Sequence, residues 1–210
     1  MTTALTLLVA FPVGWALWTL AEYLLHRFAM HLLHGKGIMS REHLEHHVTS
    51  GWSFDVNHLL SWTGMLLVGA VLWAPLGWAL DGPAAGAALA VGWAFGYFFY
   101  EYQHAMSHLR APRTRYQRLV RRHHFHHHFG APMANHGVSF PFWDHVFGTF
   151  ERPDQVRVPR RLALPWLVDD RGEVLPAYAH DYVLVGAASP DERVLKLDRA
   201  RAFASLAPAD

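Results

Sequence analysis

Residues 3–25 have the sequence TALTLLVAFPVGWALWTLAEYLL, an apolar stretch broken only by Pro12 and Glu22. As a helix, such a stretch is long enough to cross the hydrocarbon layer of a bilayer, which is roughly 30 Å thick. A cleaved signal peptide is the alternative, but no positively charged region precedes the stretch and no small-residue cleavage site lies before His26. The stretch therefore predicts a first membrane span.

Two further apolar stretches follow, at residues 59–80 and 84–99, and the turn Asp81-Gly82-Pro83 separates them. The second of these stretches is rich in Gly and Ala, which allow helices to approach closely in lipid. A buried helical hairpin in a soluble protein is the alternative, but neither stretch has the polar face that such a hairpin would show. The two stretches therefore predict a membrane hairpin.

The positive charges orient these spans. Neither Lys nor Arg precedes Arg27 or lies within residues 42–109, whereas Lys36, Arg41 and a dense arginine run at 110–122 follow the first and third spans. Because positive residues favour the cytoplasmic side, both groups of charge are expected there. We therefore expect an all-α integral membrane protein with about three transmembrane helices and a cytoplasmic, histidine-rich helical cap.

The rest of the composition bears on the cellular location of the protein and on its partners. Arginine far exceeds lysine, which indicates bacterial coding and hence the inner membrane of a bacterium, with the histidine groups on the cytoplasmic side. The formal net charge is only +1, so no nucleic-acid partner is expected.

The histidines form groups along the chain. There are 17 histidines and no cysteine, so any metal ion must be held by nitrogen or oxygen atoms. Residues three or four apart share one face of an α-helix, whereas residues five apart differ by roughly 140° and are expected to diverge. The groups are His26 and His31; His43, His46 and His47; His104 and His108; and His123, His124, His126, His127 and His128.

The clustered histidines predict two metal ions. Even when only three of the five histidines in residues 123–128 are counted as ligands, ten imidazoles remain, more than the about four to six ligands that one ion takes. Imidazole suits iron, zinc and copper alike. In residues 123–128 the three-plus-four spacing occurs twice, so the ligands there are either His124, His127 and His128 or His123, His126 and His127. An adventitious metal-binding tract is the alternative for this run. The isolated His34, His58, His145 and His180 are expected to be polar caps.

Carboxylates lie close to these groups along the chain. A carboxylate can accept the free N–H of a ligating imidazole and orient its ring. Simple solvation or pairing with arginine is the alternative role. The candidates are Glu22, Glu42, Glu45, Glu101 and Asp144.

The histidine groups resemble the four histidine boxes of the fatty acid hydroxylase/sterol desaturase superfamily. The matching segments are residues 22–31 (EYLLHRFAMH), 43–47 (HLEHH), 100–108 (YEYQHAMSH) and 121–128 (RRHHFHHH). Residues 135–149 (NHGVSFPFWDHVFGT) resemble the closing signature of the same family, so the likeness covers about residues 18–150. Its His-Arg-Phe opening and its Gly-Val-Ser and Trp-Asp closing resemble the fatty acid 2-hydroxylase branch.

This resemblance implies a ligand set. When the fourth histidine box is aligned by its distance from the closing signature, the resemblance selects His124, His127 and His128 as ligands. His123 and His126 are then not ligands. His136 stands where an aromatic residue is usual. The implied metal ligands are His26, His31, His43, His46, His47, His104, His108, His124, His127 and His128, with Glu22, Glu101, Asp144, His123 and His136 as candidates for the layer behind them.

The resemblance also implies an activity. It predicts a non-haem di-iron lipid hydroxylase, in which zinc can replace iron in a structure, with no catalytic residue beyond the metal centre. Such an enzyme uses O₂ and two electrons on a C–H bond of a lipid from the bilayer, most simply a fatty acyl chain. With no fused haem domain in the sequence, the electrons are expected from a separate electron-transfer protein.

The sequence leaves two alternative functions open and predicts one domain boundary. A carotenoid or sterol-type hydroxylase or desaturase on the same scaffold is one alternative, and a non-enzymatic membrane metal-binding protein is the other. Residues 1–150 are expected to form the membrane di-metal hydroxylase domain. Residues 151–210 are expected to form a cytoplasmic extension of unknown role, with short elements and a weakly helical end near 191–206.

Overall fold

Helices account for most of the chain in the computed structural model, which describes residues 3–54 and 56–209. The α-helices are Thr3–Leu24 (α1), Ile38–Thr49 (α2), Val56–Val68 (α3), Ala74–Asp81 (α4), Pro83–Leu109 (α5), Arg115–Phe129 (α6), Phe142–Val146 (α7) and Glu192–Phe203 (α8). Two π-helical segments, Leu25–His31 and Gly69–Trp73, extend α1 and join α3 to α4. Two short strands, Val156–Pro159 (β1) and Tyr182–Val185 (β2), pair in parallel, and a 3₁₀ turn covers Arg160–Leu162.

Two of these helical stretches are long and apolar enough to cross a membrane. They are Thr3–His31, with 29 residues, and Val56–Asp81, with 26 residues. They correspond to the first two predicted spans. The third predicted span falls in the N-terminal part of α5, a helix of 27 residues rich in Gly, Ala and aromatic side chains. That α5 also crosses the membrane stays a prediction.

The chain divides into two compact units, and the first contains the described residues of Met1–Glu22 and Ser53–Tyr102. In this unit α1 and α5 touch through their backbones. A side chain at Gly92 would overlap the carbonyl oxygen of Phe11, and one at Gly14 would overlap that of Leu89. Glycine thus permits the close helix approach that the composition predicted.

The second unit contains the described residues of Tyr23–Trp52 and Gln103–Asp210. Its apolar core joins α6 to the C-terminal extension, because Phe125 and Phe129 pack with Val156, Val158 and Leu167. The mostly helical expectation is confirmed, but the strictly all-α one is not, since β1 and β2 lie in this extension. The helical end expected near 191–206 is α8, whose N-cap carboxylate accepts the backbone N–H of Val194. The domain boundary at residue 150 stays a prediction.

The Gly92 contact leads to a test of the helix packing. Replacing Gly92 with Leu should lower the free energy of unfolding by about 1–3 kcal/mol, the usual cost of overpacking. Gly64→Leu is the matched control, because nothing lies within 4 Å of a side chain built there. Thermal unfolding in detergent micelles measures both variants. Equal midpoints for the two would contradict the close α1–α5 contact.

Candidate metal centre

Ten histidines of the second unit gather into two groups. In each group, one ring nitrogen from every histidine lies within 4.8 Å of the corresponding nitrogens of the other four. The first histidine group consists of His26, His31, His43, His47 and His127, and the second of His46, His104, His108, His124 and His128. The structure thus brings together all ten histidines that the resemblance selected. It leaves His34, His58, His145 and His180 outside both groups.

Two helices contribute to both groups. In α2, His43 and His47 are four residues apart and join the first group, while His46 joins the second. In α6, His127 joins the first group, while His124 and His128, again four apart, join the second. Because residues four apart share a helix face, each helix holds one ligand set on each of two neighbouring faces. The two groups are therefore fixed side by side.

The π-helical segment Leu25–His31 explains why His26 and His31 belong to one group. The expectation that they diverge is wrong, because it assumed α-helical geometry. A π-helix bonds residue i to residue i+5, as in the 3.3 Å bond from Leu32 N–H to the carbonyl of Arg27. Residues five apart then lie on one face. The ring centroids of His26 and His31 are 5.2 Å apart.

Backbone carbonyls determine which nitrogen of several rings is protonated. A carbonyl oxygen only accepts hydrogen bonds, so a ring nitrogen that contacts one must carry the hydrogen, and the opposite nitrogen is left as a bare acceptor. The Nδ1 atoms of His26, His46, His108 and His127 lie 2.5–2.9 Å from the carbonyl oxygens of His136, Gly51, Ser50 and Ala134, respectively. These rings therefore present a bare Nε2.

These bare nitrogens face the Nε2 atoms of other clustered histidines. Nε2 of His26 lies 3.1 Å from Nε2 of His43, and Nε2 of His108 lies 2.9 Å from Nε2 of His124. Nε2 of His43 also lies 2.9 Å from Nε2 of His31 and 3.0 Å from Nε2 of His47, and one ring hydrogen can serve only one of these contacts. Two ligands at right angles on one ion, each with a bond of about 2.1 Å, lie about 3 Å apart. In addition, neither ring nitrogen of His128, which is buried, has a hydrogen-bond partner. The residues present fit two metal ions.

Burial keeps these imidazoles neutral. Desolvation lowers the pKa of His43, His47, His124, His127 and His128 well below the ordinary value of 6.5, and the charges of neighbouring histidines lower it further. The neutral form is the one that binds a metal ion. The buried imidazoles of the two groups are therefore in the form that binds metal ions.

Asp144 organises the segment beside the first group. Its carboxylate, 0% exposed, accepts hydrogen bonds from Nε2 of His123 at 2.9 Å and from the backbone N–H groups of His136 and Gly137 at 2.8 Å each. Thr149 donates a further bond of 2.8 Å. Burial alone would raise the pKa of this carboxyl, but the hydrogen bonds outweigh it, led by that from His123, and hold the pKa below its usual value.

The candidate residues other than the ten clustered histidines lie outside both histidine groups. His123 contacts Asp144, and His126 contacts Glu151 at 3.0 Å, so neither ring joins a histidine group. The ring of His136 packs against His26, with centroids 5.3 Å apart. Glu22 is buried and Glu101 half-buried, both in the first unit, and their role behind the ligands stays a prediction.

Sequence reasoning missed the groups that hold the far side of the rings. The carbonyls of Ser50, Gly51 and Ala134 belong to the backbone, so no residue type marks them. The hydroxyl of Ser205 lies 3.2 Å from Nδ1 of His31, across 174 residues of chain. No sequence pattern pointed to that serine.

Apolar helices long enough to span a bilayer and two buried histidine groups that can hold metal ions define a class, the histidine-rich membrane metalloproteins. A family model described as fatty acid hydroxylase matches residues 11–149. The match covers more than half of the chain, and the chain belongs to this family.

Curated relatives fall in the 2-hydroxylase branch, as the sequence predicted. A dihydroceramide fatty acyl 2-hydroxylase of Arabidopsis thaliana is 33% identical over 159 residues, 68% of this chain and 60% of the relative. A ceramide very long chain fatty acid hydroxylase of Saccharomyces cerevisiae is 33% identical over 157 residues, 69% of this chain and 38% of the relative. The fatty acid 2-hydroxylase of Homo sapiens is 30% identical over 154 residues, 68% of this chain and 40% of the relative.

A solved structure is also similar. It is described as full-length scs7p with only the hydroxylase domain visible, and it matches with a TM-score of 0.56 and 26% identity. The match covers 73% of this chain and 59% of that chain. The chain thus spans 60% or less of the length of these relatives.

The hydrogen bonds of Asp144 lead to a prediction. Asp144→Asn keeps the shape but turns an amide NH₂ toward groups that donate, so it should lower the free energy of unfolding by about 3 kcal/mol. Asp170→Asn, at an exposed position, is the control. Chemical denaturation in detergent micelles compares them. An Asp144→Asn variant as stable as Asp170→Asn would contradict this role.

Proposed function

We propose that this chain is a membrane-bound, non-haem di-iron enzyme that hydroxylates a C–H bond of a lipid with O₂ and an external reductant. The favoured substrate is a long fatty acyl chain, oxidised at C2, the position named for several relatives. The observation that carries the proposal is the pair of buried five-histidine groups with converging, bare Nε2 atoms. Each group would hold one iron ion, and the ligands are the ten histidines of the two groups.

The residues of the chain do three things in this proposal. They keep the buried imidazoles neutral, they fix several rings through backbone carbonyls, and they shield the rings from solvent by burial. Bound iron would supply the redox chemistry that makes O₂ reactive toward a C–H bond. The overall balance, R–H + O₂ + 2 e⁻ + 2 H⁺ → R–OH + H₂O, requires two electrons from outside the chain. No catalytic side chain beyond the ligands is proposed.

The position of the first histidine group suits a lipid substrate. His26 and His31 lie at the end of the candidate span Thr3–His31. An acyl chain can therefore reach the centre from the bilayer while its polar head stays in water. We place the protein in the inner membrane of a bacterium, with the centre on the cytoplasmic side, on the charge distribution. Residues 1–150 would form the hydroxylase domain and 151–210 its extension.

A basic surface on α6 supports a separate, acidic electron-transfer partner. At about 100° per residue, Arg115, Arg118 and Arg122 lie on the face of α6 roughly opposite His124, His127 and His128. The three arginines line a cavity of about 240 Å³ together with Arg152. Glu151 and Asp181 also line it, and Asp181 pairs with Arg122 at 3.1 Å, so four cationic side chains there outnumber two carboxylates. A negatively charged donor is attracted to such a surface. One helix would then separate the donor from the metal ligands.

Ligand assignment in residues 123–128 leads to the first functional prediction. His124→Ala should reduce the bound metal from two ions to about one per chain, because it removes a ligand of the second group. His123→Ala should keep both ions, because its ring contacts Asp144 and joins neither group. Metal analysis of the purified variants decides between them, and equal loss in both would contradict the assignment.

The activity itself is tested with labelled oxygen. Purified, iron-loaded protein is supplied with dithionite, which replaces the donor, and with long-chain fatty acids or ceramides under ¹⁸O₂. We expect one ¹⁸O atom in the product. His108→Ala should abolish turnover rather than raise KM, because the metal centre performs the chemistry. His180→Ala, with a side chain 93% exposed, should leave turnover unchanged.

Three results would count against the proposal. Product without the label would exclude incorporation from O₂. Product two hydrogens lighter than the substrate would indicate a desaturase. Undiminished turnover in His108→Ala would leave a metal-binding protein without this chemistry.

A further inference from the structure

The C-terminal segment at residues 191–209 lies beyond the family match and packs beside the first histidine group. Its helix α8 contacts α2, the helix that carries three of the ten clustered histidines. Arg199 of α8 forms an ion pair with Glu45 of α2. The segment is therefore attached to a histidine-bearing helix from outside the residues that the family model matches.

Ser205 makes the closest link between this segment and the centre. Its Oγ donates a hydrogen bond of 3.2 Å to the carbonyl oxygen of His31 and lies 3.2 Å from Nδ1 of the same histidine. Because the hydroxyl hydrogen is given to the carbonyl, Oγ accepts the Nδ1–H of His31. That leaves Nε2 of His31 bare and aimed at the first group, 2.9 Å from Nε2 of His43. Ser205 is only 3% exposed, so water does not easily replace it.

The backbone around Ser205 is firmly held. Asp198 accepts two hydrogen bonds from the guanidinium of Arg161, at 2.7 and 2.8 Å, and both side chains are buried. Ala209 is tied to the same pair, since its N–H donates to Asp198 and its carbonyl accepts from Arg161. Ser205 itself has a φ of +54°. A serine in the left-handed region is strained, so surrounding contacts must keep it there.

His31 differs from the other oriented rings. The Nδ1 atoms of His26, His46, His108 and His127 bond to backbone carbonyls, whereas that of His31 bonds to a side chain. We propose that Ser205 is a positioning residue for the first metal ion, fixing the tautomer and ring orientation of His31. This inference rests on the proposed metal centre. It assigns the C-terminal extension a function: completion of one of the two metal sites.

A matched pair of substitutions separates the hydrogen bond from the backbone strain. Glycine and asparagine both tolerate a positive φ, but only asparagine offers an oxygen that can accept from His31. Metal-depleted full-length protein is titrated with Zn²⁺ against a competing chelator. In Ser205→Gly one of the two ions should bind 10- to 100-fold more weakly, the usual effect of losing such a partner. Ser205→Asn should recover most of the affinity, and Ser189→Gly, at an exposed position, should match the unsubstituted protein.

Two further measurements exclude other roles for the serine. The unfolding midpoint of metal-depleted Ser205→Gly should equal that of the unsubstituted protein, because glycine relieves the strained φ. His128→Ala impairs the second group, so adding Ser205→Gly to it should leave no tightly bound ion. A tight ion retained in that double variant would assign the weakened site to the second group and overturn the inference.

The remaining outcomes are also decisive. Two ions bound with unchanged affinity in Ser205→Gly would overturn the role of the serine. Equal weakening of both ions with a lower metal-free midpoint would show a purely structural role and overturn it as well. Failure of the unsubstituted protein to bind any Zn²⁺ would instead refute the metal centre itself.

Discussion

The mutual repulsion of bare imidazole nitrogens is the constraint on which the site depends. Neutral, buried rings must be brought within about 3 Å of one another, as in the pair His31 and His127, whose unprotonated Nε2 atoms face each other at 3.0 Å. Each unpaired buried nitrogen costs on the order of 1–3 kcal/mol. The surrounding fold keeps the rings in place, through carbonyls behind them and through helices shared between the two groups. A cation bound in each group, as proposed above, would turn that repulsion into coordination.

The shared helices α2 and α6 link several parts of this arrangement. Because each contributes to both groups, the spacing between the two histidine groups follows from the geometry of two regular helices. In α6 the arginines also lie opposite the ligands, so one helix carries a metal-facing side and a cationic side. Two of its apolar residues, Phe125 and Phe129, join it to the core of the C-terminal extension.

The sequence predicted which histidines lie together better than it predicted the local backbone that brings them there. Apolar length located the first two spans, and the three- and four-residue spacing located most of the clustered histidines, because these patterns report on single helices. His26 and His31 were misjudged because spacing alone does not reveal a π-helical turn. The parallel strands β1 and β2 were missed because each is only four residues long. The contact of Ser205 with His31 was not predictable, since it joins distant parts of the chain.

The carbonyls behind His26, His46, His108 and His127 also affect how this site responds to mutation. Every amino acid carries the same carbonyl, so replacing Ser50, Gly51 or Ala134 leaves the hydrogen-bond acceptor in place whenever the local backbone is kept. These orienting groups are therefore robust to substitutions that keep the local backbone, a condition that at Ser50 includes a φ of +49°. They are exposed instead to insertions and deletions, which displace the backbone itself. Loop length, more than residue identity, therefore determines whether these carbonyls stay behind the rings.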